Sequence, residues 1–200
     1  VKGWNTETGA KTLDVHVPRN IITPMAVHSP GPLVFQGSED LCVRAWDVRS
    51  SARAPAIHLT SYVYFPLSLS LHSGDNYMAT GCKGFDGVGC EVKLWDLRKT
   101  SQPILEMHGH RHDVTSCTFS ILQSHRVVSA SKDGSICVWD CSKNMAAANA
   151  TTDAEHSSSP QAYQITTGKY YTCMTQSTPS NNAKKETYYL GSFDGCVSMV

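Results

Sequence analysis

Three histidines stand at alternate positions, His108, His110 and His112, and of all residues in the sequence their type and spacing best match a metal-binding site. On an extended segment, side chains two residues apart point to the same side. Imidazole nitrogens are common zinc ligands, and Asp113 follows directly, so a metal site is one interpretation. The other, which the surrounding sequence favours, is that His110 is a buried structural histidine whose ring nitrogens are satisfied by hydrogen bonds.

Sequence motifs for catalysis are missing. There is no Gly-x-Ser-x-Gly, no His-Glu-x-x-His and no glycine-rich phosphate loop. Hydrolysis would require a nucleophile beside a base that a third group orients. We therefore expect a protein that is not an enzyme and that carries neither a cofactor nor a metal.

Charge and composition restrict the partners. Lys and Arg number 17, and Asp and Glu also number 17, so no net charge favours nucleic acid. No apolar run approaches the roughly 20 residues that cross a bilayer, and the residues from Val1 onward show no charged-then-apolar pattern that would predict secretion. The 8 cysteines form no Cys-x-x-Cys pair, which favours free thiols. The expected partners are other proteins, and the expected location is the cytoplasm.

A repeated pattern organises the sequence. Its three clear copies are GSEDLCVRAWDVR (37–49), GFDGVGCEVKLWDLR (84–98) and SASKDGSICVWD (129–140). An aspartate precedes a tryptophan by six residues in the first and third copies and by nine in the second. The pairs are Asp40 with Trp46, Asp86 with Trp95, and Asp133 with Trp139. Extra residues, glycines among them, therefore enlarge the second turn.

Weaker copies frame these three, with Trp4 and Val200 at the tryptophan position. The steps between markers are 42, 49, 44 and 61 residues. The first and third match the period of roughly 40 to 45 that is typical of four-stranded propeller blades, and the enlarged second turn and the segment that begins at Ser142 lengthen the other two. Residues Ser135 to Asp140 alternate as a half-buried strand does, and Asp133-Gly134 is a tight-turn signal. The prediction is an all-β propeller of about four blades of antiparallel sheet.

The predicted boundaries follow the markers. They are blade remnants at 1–20, blades at 21–62, 63–108 and 109–145, a mobile loop at 142–162 and a partial blade at 163–200. The loop assignment rests on the small, polar, alanine-rich segment that begins at Ser142.

These repeats resemble the WD-repeat family. The family pattern implies a hydrogen-bonded chain of histidine, serine, turn aspartate and tryptophan inside each blade. In the third repeat the residues that match are His110, Ser129 or Ser131, Asp133 and Trp139. By the same resemblance, Asp40 and Trp46, and Asp86 and Trp95, would have structural roles in the first two blades.

The resemblance also implies a larger ring, since the family commonly closes seven blades. We therefore expect blades upstream of this chain; the rival arrangement is a four-bladed ring that pairs Val1–Leu13 with the terminal strands. The segment GFDGVGCEVKLWDLRKT is similar to a branch of the family linked to ciliary trafficking, and this resemblance implies a cytoplasmic scaffold with a role in the cilium.

Partner binding is predicted at the turns. The residues before the turn aspartates, Glu39, Phe85, Lys132 and Phe193, should surround one mouth of the central channel and form a hot-spot set. The alternative is that they are ordinary loop residues.

Two Trp-Asp-x-Arg boxes end in Arg49 and Arg98. Paired boxes of this kind resemble substrate receptors of cullin–RING ubiquitin ligases, whose arginines contact an adaptor. Arginine suits this role because its planar fork binds carboxylates. The alternative is a pair of solvated side chains.

Overall fold

The computed structural model describes residues 1–17, 20–29, 31–50, 54–74, 76–149, 161–177 and 185–200. Nearly all regular structure in these residues is antiparallel β-sheet. Sheets with an inner, a second, a third and an outer strand recur along the chain, and we number them as blades.

The first blade contains Ile22–Val27, Leu33–Ser38, Cys42–Asp47 and Ile57–Leu59. The second contains Pro66–Leu71, Tyr77–Cys82, Val92–Asp96 and Leu105–Met107. The third contains Val114–Phe119, Arg126–Ser131, Ser135–Asp140 and Gln161–Thr166. The fourth has the strands Tyr171–Gln176, Tyr188–Ser192 and Val197–Met199. Two hairpins complete the set, Lys2–Trp4 with Lys11–Asp14 and Gly84–Phe85 with Val88–Gly89.

The inner strands place the blades around a common axis. Each inner strand contacts that of the next blade, from the first blade through to the fourth. Each also has an irregular register near its start, which lies beside the turn that joins the second and third strands. The prediction of a β-propeller built from four-stranded antiparallel blades is confirmed.

The hydrophobic core lies between neighbouring blades. Trp95 of the second blade is buried against Phe35 of the first, and Trp139 of the third is buried against Leu94 of the second. Val138 of the third blade meets Leu190 of the fourth in a separate cluster. Because each blade buries its faces against its neighbours, the blades stabilise one another.

The predicted loop at 142–162 was wrong in its first part, because Ser142–Asn149 forms a helix, α1. Alanine is the strongest helix former, and the run of three alanines at 146–148 favours this helix over a loop. The Asp140 carboxylate accepts the Ser142 N–H at 3.1 Å and ends the preceding strand. The Tyr77 hydroxyl donates to the Met145 carbonyl at 3.1 Å, which holds α1 against the second blade. Residues 150–160 lie outside the described residues.

Two other boundaries differ from the prediction. Gln161–Thr166 is the outer strand of the third blade, since Ile165 pairs with Ile136, whereas the prediction divided these residues between the loop at 142–162 and the partial blade at 163–200. The rival four-bladed ring is also not seen, because Lys2–Trp4 and Lys11–Asp14 form a two-stranded sheet of their own and neither pairs with the terminal strand Val197–Met199. No helix in the described part of the chain is long and apolar enough to cross a membrane.

Candidate binding rim

The turns between second and third strands share one backbone contact in all four blades. In each blade, the residue directly before the turn aspartate position donates its N–H to the carbonyl of the residue just before the inner strand. The donor and acceptor pairs are Glu39 with Ile21 at 3.1 Å, Lys83 with Phe65 at 3.0 Å, Lys132 with Asp113 at 3.0 Å and Phe193 with Tyr170 at 2.9 Å. We call these eight residues the turn rim.

Phe85 was predicted as the second-blade member of this set, but Lys83 occupies the position. Trp95 lies thirteen positions after Cys82, whereas Trp139 lies only eight positions after Ser131. Because the second turn is five residues longer, counting back from the tryptophan gives the wrong residue. Counting forward from the preceding strand would have found Lys83. Phe85 lies instead on the small hairpin, where its ring meets that of His112 edge-on at 5.2 Å.

Asp86 is displaced by the same insertion. The register places Gly84 where the third blade has Asp133. A Cβ on Gly84 would meet the Cys90 nitrogen at 2.2 Å, so only glycine fits there. Asp86 lies in the hairpin turn with a left-handed φ of 52°, a conformation that aspartate tolerates better than most residues. The predicted role of Asp86 inside the blade is therefore not seen.

The interior of the third blade contains a chain of polar contacts. The two ring nitrogens of His110 lie 2.7 Å from the hydroxyls of Ser135 and Ser129. The Trp139 indole N–H donates to the Ser129 hydroxyl at 2.8 Å. The Asp133 carboxylate accepts the Ser135 N–H at 2.7 Å and lies 3.6 Å from His110. Of the two serines that the sequence left open, Ser129 is the one in the chain, and Ser135 was missed.

Asp133 also ties this interior to the surface. Its carboxylate accepts the Arg111 N–H at 2.6 Å. Burial acts to raise the pKa of Asp133, but hydrogen bonds from His110, Ser135 and the Arg111 amide together lower it well below its usual value. The carboxylate therefore stays charged and fixes the turn that carries Lys132.

The structure does not bring the three histidines together as ligands. Both nitrogens of His110 face serines, the His112 ring meets that of Phe85 edge-on, and His108 lies 3.9 Å from Glu106. No group of three histidine, cysteine or acidic residues suited to a metal ion was found within the described ranges.

The second blade fills the same interior position with different residues. Tyr62 precedes the inner strand by four residues, as His110 does in the third blade. Its hydroxyl donates to Thr80 at 3.3 Å, and its ring packs 5.6 Å from that of Trp95. The Trp95 indole N–H is buried without an acceptor among the described residues. The sequence analysis missed Tyr62, although its spacing to the inner strand could have revealed it.

The first blade uses an amide in this position. The Trp46 indole N–H donates to Gln36 at 3.0 Å, and the Gln36 amide donates to Ser38 at 2.9 Å. Asp40 lies at the turn, where Arg44 binds both of its carboxylate oxygens, at 3.1 and 2.6 Å. Tryptophan and aspartate thus keep their places while the groups between them change.

Arg49 and Arg98 lie at the opposite end of the blades from the turn rim. Arg49 is 72% exposed and forms two bonds with the Asp47 carboxylate, at 3.1 and 2.8 Å. Arg98 binds Asp96 in the same way, at 2.8 Å for both contacts, and also donates to the Asn149 side chain of α1 at 2.7 Å. Helix α1 therefore contacts Arg98, whose side chain is 46% exposed, and leaves Arg49 more open.

Comparison with known proteins supports the fold. Residues 101–140 match the family model described as "WD domain, G-beta repeat". The crystal structure of the computationally designed Ika8 protein superposes with a TM-score of 0.70 over 99% of this chain and 51% of that chain, at 23% sequence identity. The fold is that of a WD-repeat β-propeller.

Relatives in sequence agree. "WD repeat-containing protein GTS1" from Arabidopsis thaliana is 33% identical over 52% of this chain, and "Maintenance of telomere capping protein 5" from Saccharomyces cerevisiae is 29% identical over 70%. "E3 ubiquitin-protein ligase COP1" from Arabidopsis thaliana is 28% identical over 56%. The chain spans 25%, 12% and 15% of their respective lengths. These matches, with the repeat itself, support the WD-repeat family for this chain.

Proposed function

We propose that this chain is a non-catalytic scaffold that binds other proteins through the turn rim. The observation that carries the proposal is the shared backbone contact, which places one variable side chain per blade at the same end of the propeller. Phe193 is 83% exposed, and Tyr170 beside it is 63% exposed. Exposed aromatic side chains among polar ones are typical of protein interfaces.

A catalytic use of Ser129, His110 and Asp133 is the obvious rival, since serine, histidine and aspartate lie in contact. Both histidine nitrogens are occupied by serine hydroxyls, and Ser129 is fully buried beneath Trp139. A nucleophile must reach its substrate, and this hydroxyl faces the blade interior. The arrangement favours a structural role for the three residues.

Affinity capture with the full-length protein tests the proposal. We expect Phe85→Ala combined with Phe193→Ala to lose partners that the wild type retains, because both rings are exposed at the rim end of the blades. Tyr163→Ala, which removes an exposed ring from the outer strand of the third blade, is the matched control. Retention of every partner by the rim variant would remove the assignment.

We propose the cellular setting from a further resemblance in sequence. The segments QGSED and GFDGVGCEVKLWDLRKT resemble WD repeat-containing protein 31, which supports a cytoplasmic scaffold in ciliary trafficking as part of this proposal. Proximity labelling of the full-length protein in ciliated cells should mark ciliary transport proteins. Labelling of general cytoplasmic proteins alone would contradict the ciliary assignment and leave the rim proposal to the capture experiment.

A ubiquitin-ligase substrate receptor is the second candidate function. It is favoured by the exposed, carboxylate-fixed Arg49 and by the similarity to a relative named as an E3 ligase. If the arginines contact a ligase adaptor, Arg49→Ala with Arg98→Ala should abolish adaptor capture. Arg111→Ala, at the rim end, should not. Full adaptor binding by the double variant would eliminate this candidate.

A further inference from the structure

A groove runs between Lys83 and Lys132 across three successive inner strands. Its volume is about 320 Å³, and Leu67, Thr115 and Thr172 line it from the second, third and fourth blades. We propose that this lysine groove binds the carboxylate of an acidic residue in an extended segment of a partner protein. The inference rests on the proposed function and names the chemistry of the partner.

The charges in the groove leave one ammonium group uncompensated. Lys132 Nζ lies 2.7 Å from the Asp113 carboxylate, so these two charges offset each other. Lys83 Nζ lies 4.7 Å from the centre of the Phe65 ring, and it forms no ion pair with any residue that the structure describes. A ring face attracts a cation without neutralising it. A carboxylate entering the groove would therefore meet a net positive charge.

The groove is held in place before a ligand arrives. Asp113 binds Lys132 with one carboxylate oxygen and accepts the Gly84 N–H with the other at 3.1 Å. Burial acts to raise the pKa of Asp113, but these contacts, with Lys132 the strongest, hold it below its usual value. The ionised carboxylate thus links the two turns that carry the lysines. Fixing the binding groups in advance lowers the entropy lost on binding.

An apolar surface adjoins the groove. The hairpin that contains Phe85 and Val88 is fastened to the third blade by Gly87, whose N–H donates to the Arg111 carbonyl at 3.2 Å. Both side chains are mostly exposed. A segment whose acidic residue lies near an apolar one would fill groove and hairpin together, since the apolar side chain removes Phe85 and Val88 from water.

A protein segment fits this surface better than a nucleic acid does. Phosphate backbones bind through many cations along a track, whereas Asp113 offsets one of the two lysines here and Glu39 lies on the same rim. One net positive charge beside apolar side chains matches a single carboxylate with an apolar neighbour.

Selection from a random twelve-residue peptide display library on the full-length protein tests the proposal. We expect the selected peptides to be enriched in Asp or Glu next to an apolar residue. In a selected peptide, replacing the acid by its amide should weaken binding about tenfold, the size of one charge-assisted hydrogen bond. Lys83→Gln with Lys132→Gln should weaken it equally and abolish its salt dependence. Glutamine keeps a donor for Asp113, so the rim should remain folded.

Lys143→Gln, on α1 at the opposite end, is the matched control and should bind as the wild type does. Selected peptides without acidic enrichment, or peptides that bind the double lysine variant unchanged, would overturn the inference. If such peptides still lose binding in Phe85→Ala with Phe193→Ala, the rim proposal stands while the lysine groove fails. If no peptide binds the rim at all, both fail.

Discussion

The third and second blades solve the same structural problem with different chemistry. In the third, His110 connects two serines, and the chain continues to Trp139 and Asp133. In the second, Tyr62 meets Thr80 and stacks near Trp95, and Gly84 replaces the aspartate.

These two interiors show that the blade geometry does not depend on one particular chain of hydrogen bonds. A buried tryptophan contributes most through the apolar area it removes from water, and both blades keep it. The polar chain of the third blade adds a fixed turn. The second blade dispenses with that chain and has room for the inserted hairpin that carries Phe85. The residues that conform to the repeat stabilise the third blade, whereas the insertion in the second blade adds exposed surface at the end of the propeller where we propose that partners bind.

The largest expected contrast comes from removing the polar group in each interior. His110→Leu would leave Ser129, Ser135 and Asp133 without their shared partner and should lower the free energy of unfolding by about 3 kcal/mol. Tyr62→Phe removes one long hydroxyl bond and should cost about 1 kcal/mol. Urea denaturation checks both, and equal losses would contradict the comparison.

Glycine substitutions at the two turns should differ next. Gly134 has a φ of 80°, and a Cβ there would meet the Lys169 nitrogen at 2.9 Å. Gly87 has a φ of 79° with no atom near its Cβ position. We expect Gly134→Ala to cost about 2 kcal/mol and Gly87→Ala about 1 kcal/mol. Thermal unfolding shows which variant loses more stability. A larger loss in Gly87→Ala than in Gly134→Ala would mean that the hairpin is the tighter turn.

A smaller contrast concerns the indole N–H groups. Trp139→Phe and Trp95→Phe lose similar volumes, but only Trp139 donates a hydrogen bond in the described structure. The third-blade variant should therefore be the less stable by about 1 kcal/mol. Calorimetry of both variants provides the measurement, and a greater loss in Trp95→Phe would show that its indole has a strong partner.

The last contrast is the pH dependence that Asp133 adds to the third blade. Because its folded-state pKa is lowered, its contribution is complete above the unfolded value of about 4 and is lost as pH falls through the folded value. Wild type should lose more stability than Asp133→Asn as pH falls below about 4, so the two curves converge. Parallel denaturation curves in this acid range would show that Asp133 is not held in its charged form.

The sequence predicted the blades where its spacing was regular and failed where residues were inserted. Six residues from aspartate to tryptophan identify one hairpin, because strand length and turn length are both fixed by the sheet. The insertion after Gly84 breaks that count, so Phe85 and Asp86 were assigned to positions that Lys83 and Gly84 occupy. When residues are inserted between the aspartate and the tryptophan, their spacing no longer indicates which residue occupies which position of the turn.

Contacts between distant segments were less accessible to sequence reasoning. Tyr62 stands in the position of His110, but its role depends on the ring packing of Trp95, 33 residues later. Helix α1 was mistaken for a loop because an alanine-rich segment shows no amphipathic period. Its docking depends on Tyr77 of another blade. The spacing of Tyr62 to the inner strand is a local signal, but its packing against Trp95 and the docking of α1 on Tyr77 leave none.

We propose that partner proteins bind at the turn rim. Hydrogen exchange of the full-length protein, measured with and without a peptide selected by display, tests it most directly. The account predicts slower exchange at residues 83–90, 111–115 and 132–134, and unchanged exchange at residues 47–50 and 96–99. Protection at the Arg49 and Arg98 end, with none at the rim, would contradict it.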